Sequence, residues 1–160
     1  MKKNNTIRTK PIAGTLRKTK KLNKNKALTF FRRNEKETKE HNMIVDMERN
    51  DLSKICKTGS VKIDKLKKVE EYRDLFHYVT TIKGVIKNKM SNHDIISSLM
   101  PGGSVIGCPK ISTIQLLNRK EKFDRNIYTG SFGIIHSNGD MRFNIMIRTL
   151  LNFKNDIELS

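Results

Sequence analysis

Residues 127–148 of the 160-residue chain read IYTGSFGIIHSNGDMRFNIMIR, a sequence typical of a β-hairpin. Residues 144–149 combine β-branched and other apolar side chains with polar ones, a composition that favours a strand. Asn138-Gly139 is the dipeptide that best suits the centre of a tight type I′ hairpin. The pattern therefore predicts two antiparallel strands, Ile127–His136 and Met141–Phe153, joined by this turn.

Upstream of the hairpin lies a glycine-rich loop, residues 101–110, with the sequence PGGSVIGCPK. Glycine lets a backbone approach a ligand closely. The predicted helix Ile111–Asn118 would present free N–H groups and the positive end of its dipole, and Lys110 adds a full charge. These features indicate an anion-binding loop, with a plain tight connection as the alternative. The GxxxxGK[ST] spacing of a nucleotide-binding Walker loop is absent.

The periodicity of hydrophobic residues and the positions of turn-forming residues predict the remaining elements. They place the chain in the mixed α/β (α+β) class, as one domain of ordinary size. The longest helix is predicted from Glu35 to Ile55, before Thr58-Gly59. The other predicted elements are a strand or frayed start at residues 1–10, a turn at Pro11–Thr15, a short strand at Val61–Ile63, a β-rich segment at Tyr72–Ile86, and a helix at His93–Met100 capped by Ser91 or Asn92.

Composition excludes several classes of protein. Hydrophobic residues make up 36% of the chain, and no apolar run approaches the roughly 18 residues that a membrane span needs. The N-terminus leads into polar sequence, so no signal peptide is predicted. Cys56 and Cys108 lie too far apart for a zinc motif and are too few for a disulfide framework. We therefore expect a reduced, cytoplasmic setting.

The chain is strongly basic, with 33 Lys and Arg residues against 16 Asp and Glu, a formal charge of +17. Twelve of the basic residues and no acidic residue lie between Met1 and Asn34. Clustered lysines could form a nucleic-acid-binding arm. Only Phe30 and Phe31 supply aromatic rings there, and no helix-turn-helix, zinc-finger or RNP-like motif follows. A solvated basic surface is therefore the favoured interpretation.

Four polar side chains are candidates for chemistry. Glu37 and Glu40 are three residues apart on a predicted helix, so both carboxylates project from one face; they could hold Mg²⁺ or simply face solvent. His77 lies among apolar neighbours and could be structural or could donate and accept a proton. Arg148 lies in a predicted strand, where it could satisfy carbonyls or bind a substrate carboxylate.

The order of the motifs carries more information than any one of them. Along the chain they are Pro11–Thr15, Glu40–Leu52, Gly59–Val61, the glycine-rich loop, Tyr128–Gly133 and Ile147–Thr149. In this order and with these gaps the chain resembles the chorismate-utilising enzymes, a family that includes component I of aminodeoxychorismate synthase and of anthranilate synthase, isochorismate synthases and salicylate synthases. The Pro-Gly-Gly-Ser loop and Phe143–Ile145 most resemble aminodeoxychorismate synthase component I, with anthranilate synthase component I as the alternative.

The resemblance implies a fold, a reaction and a set of site residues. The fold would be an incomplete chorismate-binding catalytic domain with antiparallel strands and flanking helices. The reaction would be Mg²⁺-dependent amination of chorismate, in the 4-aminobenzoate branch of folate synthesis, with ammonia from a glutamine amidotransferase subunit. The implied residues are Glu40 and Glu37 for the metal, His77 and Ser104 for catalysis, and Gly14, Thr15, Tyr128 and Arg148 for chorismate; Lys110 joins the last group as the cation of the predicted anion-binding loop.

Three positions depart from the family's pattern. Some aminodeoxychorismate synthases carry a lysine nucleophile at the position of Ala13, so that covalent route is closed here. Ile106 replaces a common Thr or Ser, and Arg142 replaces a common acidic residue. We also expect the chain, residues 1–160, to lack the N-terminal region of the family's domain and a C-terminal tail with a second metal-binding glutamate. A non-catalytic remnant or basic binding module is therefore a further alternative.

Overall fold

The computed structural model describes residues 1–153 and 156–159, which fall into two compact units. One unit is formed by residues 5–89, and the other by residues 1–4 together with residues from 90 onward. The described strands are β1 (Lys2–Lys3), β2 (Thr6–Thr9), β3 (Ile12–Arg17), β4 (Lys62–Glu71), β5 (Leu75–Val85), β6 (Ser131–Ile135), β7 (Met141–Ile145), β8 (Leu150–Phe153) and β9 (Asp156–Leu159). The described helices are α1 (Lys24–Arg33), α2 (Glu35–Ile55), α3 (Asn92–Leu99), α4 (Gly103–Ile106) and α5 (Lys110–Lys120).

Strand β5 is the centre of the unit formed by residues 5–89. It pairs antiparallel with β4 along one edge and with β3 and β2, one after the other, along the opposite edge. Because both edges are occupied, nearly every residue from Phe76 to Gly84 is buried. A strand buried in this way favours apolar and β-branched residues, and β5 contains the run Val79-Thr80-Thr81-Ile82.

Helices α1 and α2 pack against this sheet and close its core. Ala27, Phe31, Phe76 and Tyr78 are each fully buried there, and the rings of Phe31 and Tyr78 stack with their centroids 4.9 Å apart. Burial of a side chain of this size stabilises the fold by about 1.5–3 kcal/mol. The core therefore fixes the two helices that follow β3 to the sheet that contains β5.

One asparagine organises the junction of these helices. Asn34 ends α1, where its backbone N–H donates to the Phe30 carbonyl at 3.0 Å. Its side-chain oxygen also accepts from the Glu37 backbone N–H at 3.2 Å, which caps the start of α2. The predicted helix Glu35–Ile55 is confirmed at both ends.

The second unit contains strands β1, β7 and β6 in that order, all antiparallel. Helix α3 begins with a capping box between Ser91 and Asp94, which confirms the predicted cap. The glycine-rich loop contains the one-turn helix α4. The predicted helix Ile111–Asn118 is present as α5, which is one residue longer at its start and two residues longer at its end. Strands β8 and β9 pair as a separate antiparallel ribbon.

The hairpin between β6 and β7 is confirmed, but its predicted turn type and lengths are wrong. A type I′ turn needs positive φ at both central residues. Here Gly139 alone has it, at 81°, while the Asn138 side chain accepts from the Asp140 N–H at 2.9 Å. His136 and Asp140 close the loop through an N–H···O bond of 2.8 Å. The second strand ends at Ile145, and Arg148, with φ +52°, lies outside any strand.

Two further expectations for the first unit are wrong, and one helix is not predicted at all. Pro11–Thr15 is mostly strand β3, because a bulge between Ile12 and Thr15 and a φ of +100° at Gly14 place a turn-like sequence inside a strand. Helix α1 is absent from the sequence-based expectations, since lysines and arginines mask its buried Ala27 and Phe31. Strand β4 is ten residues long rather than three, as an edge strand rich in exposed lysines hides its pattern.

Candidate functional site

Thr15 and His77 form the first polar contact of the candidate site. They are direct partners in the register of β3 and β5, so their side chains lie on the same face of the sheet. Thr15 Oγ1 lies 3.0 Å from His77 Nδ1, a hydrogen-bond distance. The histidine is half-buried and the threonine is exposed. The contact orients the imidazole and leaves its Nε2 for another partner.

Gly14 brings a carboxylate close to this pair of strands. A Cβ atom at Gly14 would lie 2.8 Å from Phe31 Cε1 and 2.9 Å from Glu37 Oε2, closer than real Cβ contacts come. The φ of +100° also belongs to the region that favours glycine. Gly14 is therefore the residue that lets the half-buried Glu37 carboxylate approach the β3 backbone.

Glu40 follows Glu37 by one turn of α2 and is exposed. No Lys, Arg or His nitrogen in the described part of the chain lies within 4.0 Å of either carboxylate, although the protein carries a charge of +17. Two unneutralised carboxylates one turn apart suit Mg²⁺, which prefers hard oxygen ligands and keeps several waters. Within residues 1–153 and 156–159, no cluster of three or more His, Cys, Asp or Glu side chains is placed to hold a metal ion.

A buried histidine, His41, ties these elements together. It is fully buried, with Nε2 2.7 Å from Thr80 Oγ1 and Nδ1 3.3 Å from the Ala13 carbonyl oxygen. The Lys67 backbone N–H donates to Thr80 Oγ1 at 3.0 Å. The network is satisfied when His41 is neutral: Nδ1–H donates to Ala13, and Nε2 accepts from the threonine hydroxyl. Burial lowers the pKa of His41 below its ordinary value, which favours this neutral form.

The sequence-based predictions do not single out His41, although this residue supports the candidate site. It is adjacent to Glu40, and its contacts attach α2 to the strand that carries Gly14 and Thr15. A histidine on the apolar side of an amphipathic helix, one position after a candidate ligand, is the signal that could have found it.

A second set of contacts includes the His77 ring. The Tyr72 ring meets the His77 ring edge-on with centroids 5.3 Å apart. The Tyr72 hydroxyl donates to Glu70 Oε2 at 3.1 Å, and Lys10 Nζ lies 2.8 Å from Glu70 Oε1. The hydrogen bond from Lys10 lowers the pKa of Glu70, and the bond to Glu70 raises the pKa of Tyr72. Glu70 is therefore ionised and Tyr72 is neutral near pH 7.

The other predicted site residues lie in the second unit. Ser104 is exposed on α4, and Lys110 Nζ contacts the Leu99 carbonyl oxygen at 3.4 Å. Tyr128 is 42% exposed, with the Arg125 guanidinium 5.8 Å from its ring centre. Arg148 is exposed. Among the described residues, no hydrogen bond joins Ser104, Tyr128 and Arg148 to one another.

The nine predicted site residues are thus divided between the units. Gly14, Thr15, Glu37, Glu40 and His77 belong to residues 5–89, where the structure joins Thr15 to His77 and Gly14 to Glu37. Both cysteines are free thiols, Cys56 buried and Cys108 exposed. None of the described helices is both long enough and apolar enough to span a membrane.

Comparisons with known proteins identify the family of this chain. A sequence profile described as chorismate binding enzyme matches residues 1–160. Aminodeoxychorismate synthase component 1 of Bacillus subtilis is 39% identical over 150 residues, which cover 93% of this chain and 32% of that protein. Anthranilate synthase component 1 1 of Haloarcula marismortui is 37% identical over 154 residues, covering 96% of this chain and 32% of that protein.

Solved structures give the same result. The crystal structure of anthranilate synthase component I from Streptococcus pneumoniae superposes with a TM-score of 0.78 at 36% identity, covering 92% of this chain and 32% of that one. The chain thus spans about a third of the length of the relatives it matches. The profile match over the whole sequence, the relatives and the shared fold place this chain in the family of chorismate-binding enzymes.

Proposed function

We propose that this chain carries part of the site of an aminodeoxychorismate synthase, which aminates chorismate to 4-amino-4-deoxychorismate with ammonia and Mg²⁺. The observation that carries the proposal is the contact of Thr15 Oγ1 with His77 Nδ1 at 3.0 Å, on strands whose motifs match the family. The Glu37 carboxylate against Gly14 supports it. Ammonia would come from a glutamine amidotransferase subunit, as component I in the relative's name suggests.

His77 would donate the proton that lets the ring hydroxyl of chorismate leave as water. For this step His77 would be the imidazolium, with Nδ1–H donating to Thr15 Oγ1 and Nε2–H pointing away from Thr15. Transfer of the Nε2 proton to the leaving hydroxyl would return His77 to the neutral imidazole, and the contact with Thr15 would hold the ring in the orientation that the transfer needs. Because Ala13 supplies no amine, ammonia would attack the ring directly rather than replace a covalently bound lysine.

Glu37 and Glu40 would hold Mg²⁺, which when bound would neutralise one carboxylate of the dianionic substrate. Arg148 would pair with a carboxylate of chorismate, and Tyr128 would donate a hydrogen bond to it. Gly14 and Thr15 would form the backbone wall of the substrate site, Lys110 would add positive charge, and Ser104 would place a hydroxyl near the ring. These roles follow from the family resemblance and from the chemistry of the side chains.

Anthranilate synthase component I, which would release a different aminated product, is the second candidate. Its relatives match this chain at almost the same level of identity as the aminodeoxychorismate synthase does. A non-catalytic basic binding module is the third candidate, supported by the charge of +17.

A turnover assay with product identification separates the three candidates. Chorismate, Mg²⁺ and ammonium salt are incubated with the chain, alone and with the purified segments of the B. subtilis relative that it does not match. We expect no product from the chain alone, because it spans 32% of that relative, and aminodeoxychorismate from the mixture. Anthranilate as the product would support the second candidate, and a mixture without product would support the third.

Matched histidine variants test the assigned proton donor in the same mixture. His77→Asn should lower the rate by about 10²-fold or more, the usual contribution of a general acid. His136→Asn, at an exposed position in the β6–β7 loop, should leave the rate unchanged. Equal rates for the two variants would contradict the role of His77.

A further inference from the structure

A bulge in β4 brings two lysines onto the same face of the sheet. Lys65 is opposite Thr81 and Lys68 is opposite Val79, so three steps along β4 match two steps along β5. In a regular strand, side chains three residues apart point to opposite faces. The extra residue of the bulge shifts the alternation of β4 by one position. Lys65 and Lys68 therefore both lie opposite side chains on one face of β5.

The bulge contains one residue with a strained backbone, which a buried hydrogen-bond network holds in place. Lys67 has φ +47°, in the left-handed region, which costs a residue other than glycine about 1–2 kcal/mol. Its backbone N–H donates to Thr80 Oγ1 at 3.0 Å, and this fully buried threonine is bound in turn to His41 at 2.7 Å. Strained conformations that a buried network enforces are often found at functional sites.

Lys65 and Lys68 line an open cleft of about 450 Å³, and a third lysine, Lys24, joins them from the first turn of α1. Val69 and Val79, which are 3% and 2% exposed, also line the cleft. The cleft therefore combines lysine ammonium groups with an apolar lining, and its volume suits a small molecule.

The carboxylates of this cleft do not neutralise the three lysines. Glu70 is paired with Lys10 at 2.8 Å, and Glu71 forms an ion pair with Lys18. In the described part of the chain, no carboxylate oxygen lies within 4.0 Å of the Nζ atoms of Lys24, Lys65 and Lys68. The negative charges of the two glutamates are neutralised by lysines that do not line the cleft. The positive charges of Lys24, Lys65 and Lys68 therefore remain around the cleft.

We propose that this cleft is a binding site for a small oligophosphate anion, either free or as a phosphate ester. Lysine is a common phosphate ligand and acts as a mobile point charge. Three ammonium groups can contact the separate phosphates of one chain, while a dicarboxylate of similar size offers two charges. None of its three lysines belongs to the proposed amination site, and Tyr72, which also lines the cleft, contacts His77 of that site.

Titration calorimetry with inorganic tripolyphosphate at about 150 mM NaCl tests the proposal, because such salt screens exposed charges beyond roughly 8 Å. The double variant Lys65→Gln/Lys68→Gln should weaken binding by about tenfold or more. The control Lys36→Gln/Lys62→Gln removes the same charge from exposed positions outside the cleft and should change the affinity by less than about twofold. Equal losses in the two variants, no binding to the wild type, or tighter binding of chorismate at the same lysines would overturn it.

A footprint on the wild-type chain gives the same answer without any substitution. Acetylation of lysines with a water-soluble ester is followed by mass spectrometry, with and without tripolyphosphate. The ligand should slow the modification of Lys24, Lys65 and Lys68 and leave Lys36 and Lys62 unaffected. Uniform protection of all five lysines, or none, would contradict a defined site.

Discussion

At the scale of single residues, Gly14 sets how closely α2 approaches β3. Its φ of +100° and the short distances from its Cβ position to Phe31 and Glu37 exclude larger residues. Gly14→Ala should therefore lower the free energy of unfolding by about 3 kcal/mol, from backbone strain and overpacking together. Urea unfolding measures the change.

Gly59→Ala is the matched control for Gly14→Ala. Gly59 also has a positive φ, at +72°, but a Cβ there would meet nothing within 4 Å. Only the backbone strain remains, so the loss should be about 1 kcal/mol. A loss at Gly14 no greater than that at Gly59 would contradict the packing of Gly14 against Glu37.

The buried His41 should make stability depend on pH. Burial lowers its pKa from the ordinary value of 6.5, so the unfolded chain takes up a proton at a higher pH than the folded one. The contribution of neutral His41 is then fully present above pH 6.5 and is lost progressively as the pH falls below it. Urea unfolding at pH 7.5 and 5.5, compared between wild type and His41→Gln, measures that loss.

His93→Gln is the control for this pH dependence, because the His93 side chain is 88% exposed. It should keep the pH dependence of the wild type, whereas His41→Gln should reduce it. The same stability change between the two pH values in wild type and His41→Gln would show that His41 is not the titrating group.

At the scale of elements, the boundary between α1 and α2 depends on Asn34. Asn34→Ala removes the side-chain bond to the Glu37 N–H and should cost about 1 kcal/mol of stability. It should also weaken Mg²⁺ binding, because Glu37 lies in the turn that this cap fixes. Asn42→Ala, at an exposed position inside α2, should be neutral or slightly stabilising. Equal effects of both variants, measured by urea unfolding, would contradict the capping role.

The elements also show what a single sequence can predict and why the rest is missed. Helix α2 and the cap of α3 were predicted correctly because local periodicity and capping chemistry determine them. Strand β4 and helix α1 were missed because tertiary pairing overrides their basic, polar sequences. The type I′ turn was wrong because Asn138 uses its side chain to bond Asp140 rather than adopting positive φ.

For the whole molecule, the order of the motifs along the sequence predicts the family. The contacts within the candidate site depend on tertiary structure and could not be predicted in the same way. The motif order indicated chorismate-utilising enzymes, and the profile match confirms it. The Thr15–His77 contact requires the register of β3 with β5, and the bulge that sets this register has no clear mark in the sequence. The His41 network depends on hydrogen bonds between residues 13 to 39 positions apart, and the lysine cleft combines residues of α1, β4 and β5; no local pattern encodes either.

The β6–β7 hairpin should also affect the behaviour of the whole molecule in solution. Every residue of β6 is exposed, with Phe132 at 70% and Ile134 at 61%. An exposed apolar edge strand is a template for pairing with another chain. We expect concentration-dependent association in sedimentation velocity, reduced by Ile134→Lys and not by Ile111→Lys on α5. Association that is unchanged by Ile134→Lys would contradict pairing through β6.

We propose that residues 5–89 provide a site for Mg²⁺ and chorismate around Glu37, Glu40, Thr15 and His77. Thermal unfolding with Mg²⁺ and chorismate together tests it most directly, since a ligand that binds the native state raises the melting temperature. The wild type and Glu35→Gln, a charge-matched control on the same helix, should show the same increase, and Glu40→Gln should lose most of it. No increase in the wild type, or an equal increase in Glu40→Gln, would contradict the claim.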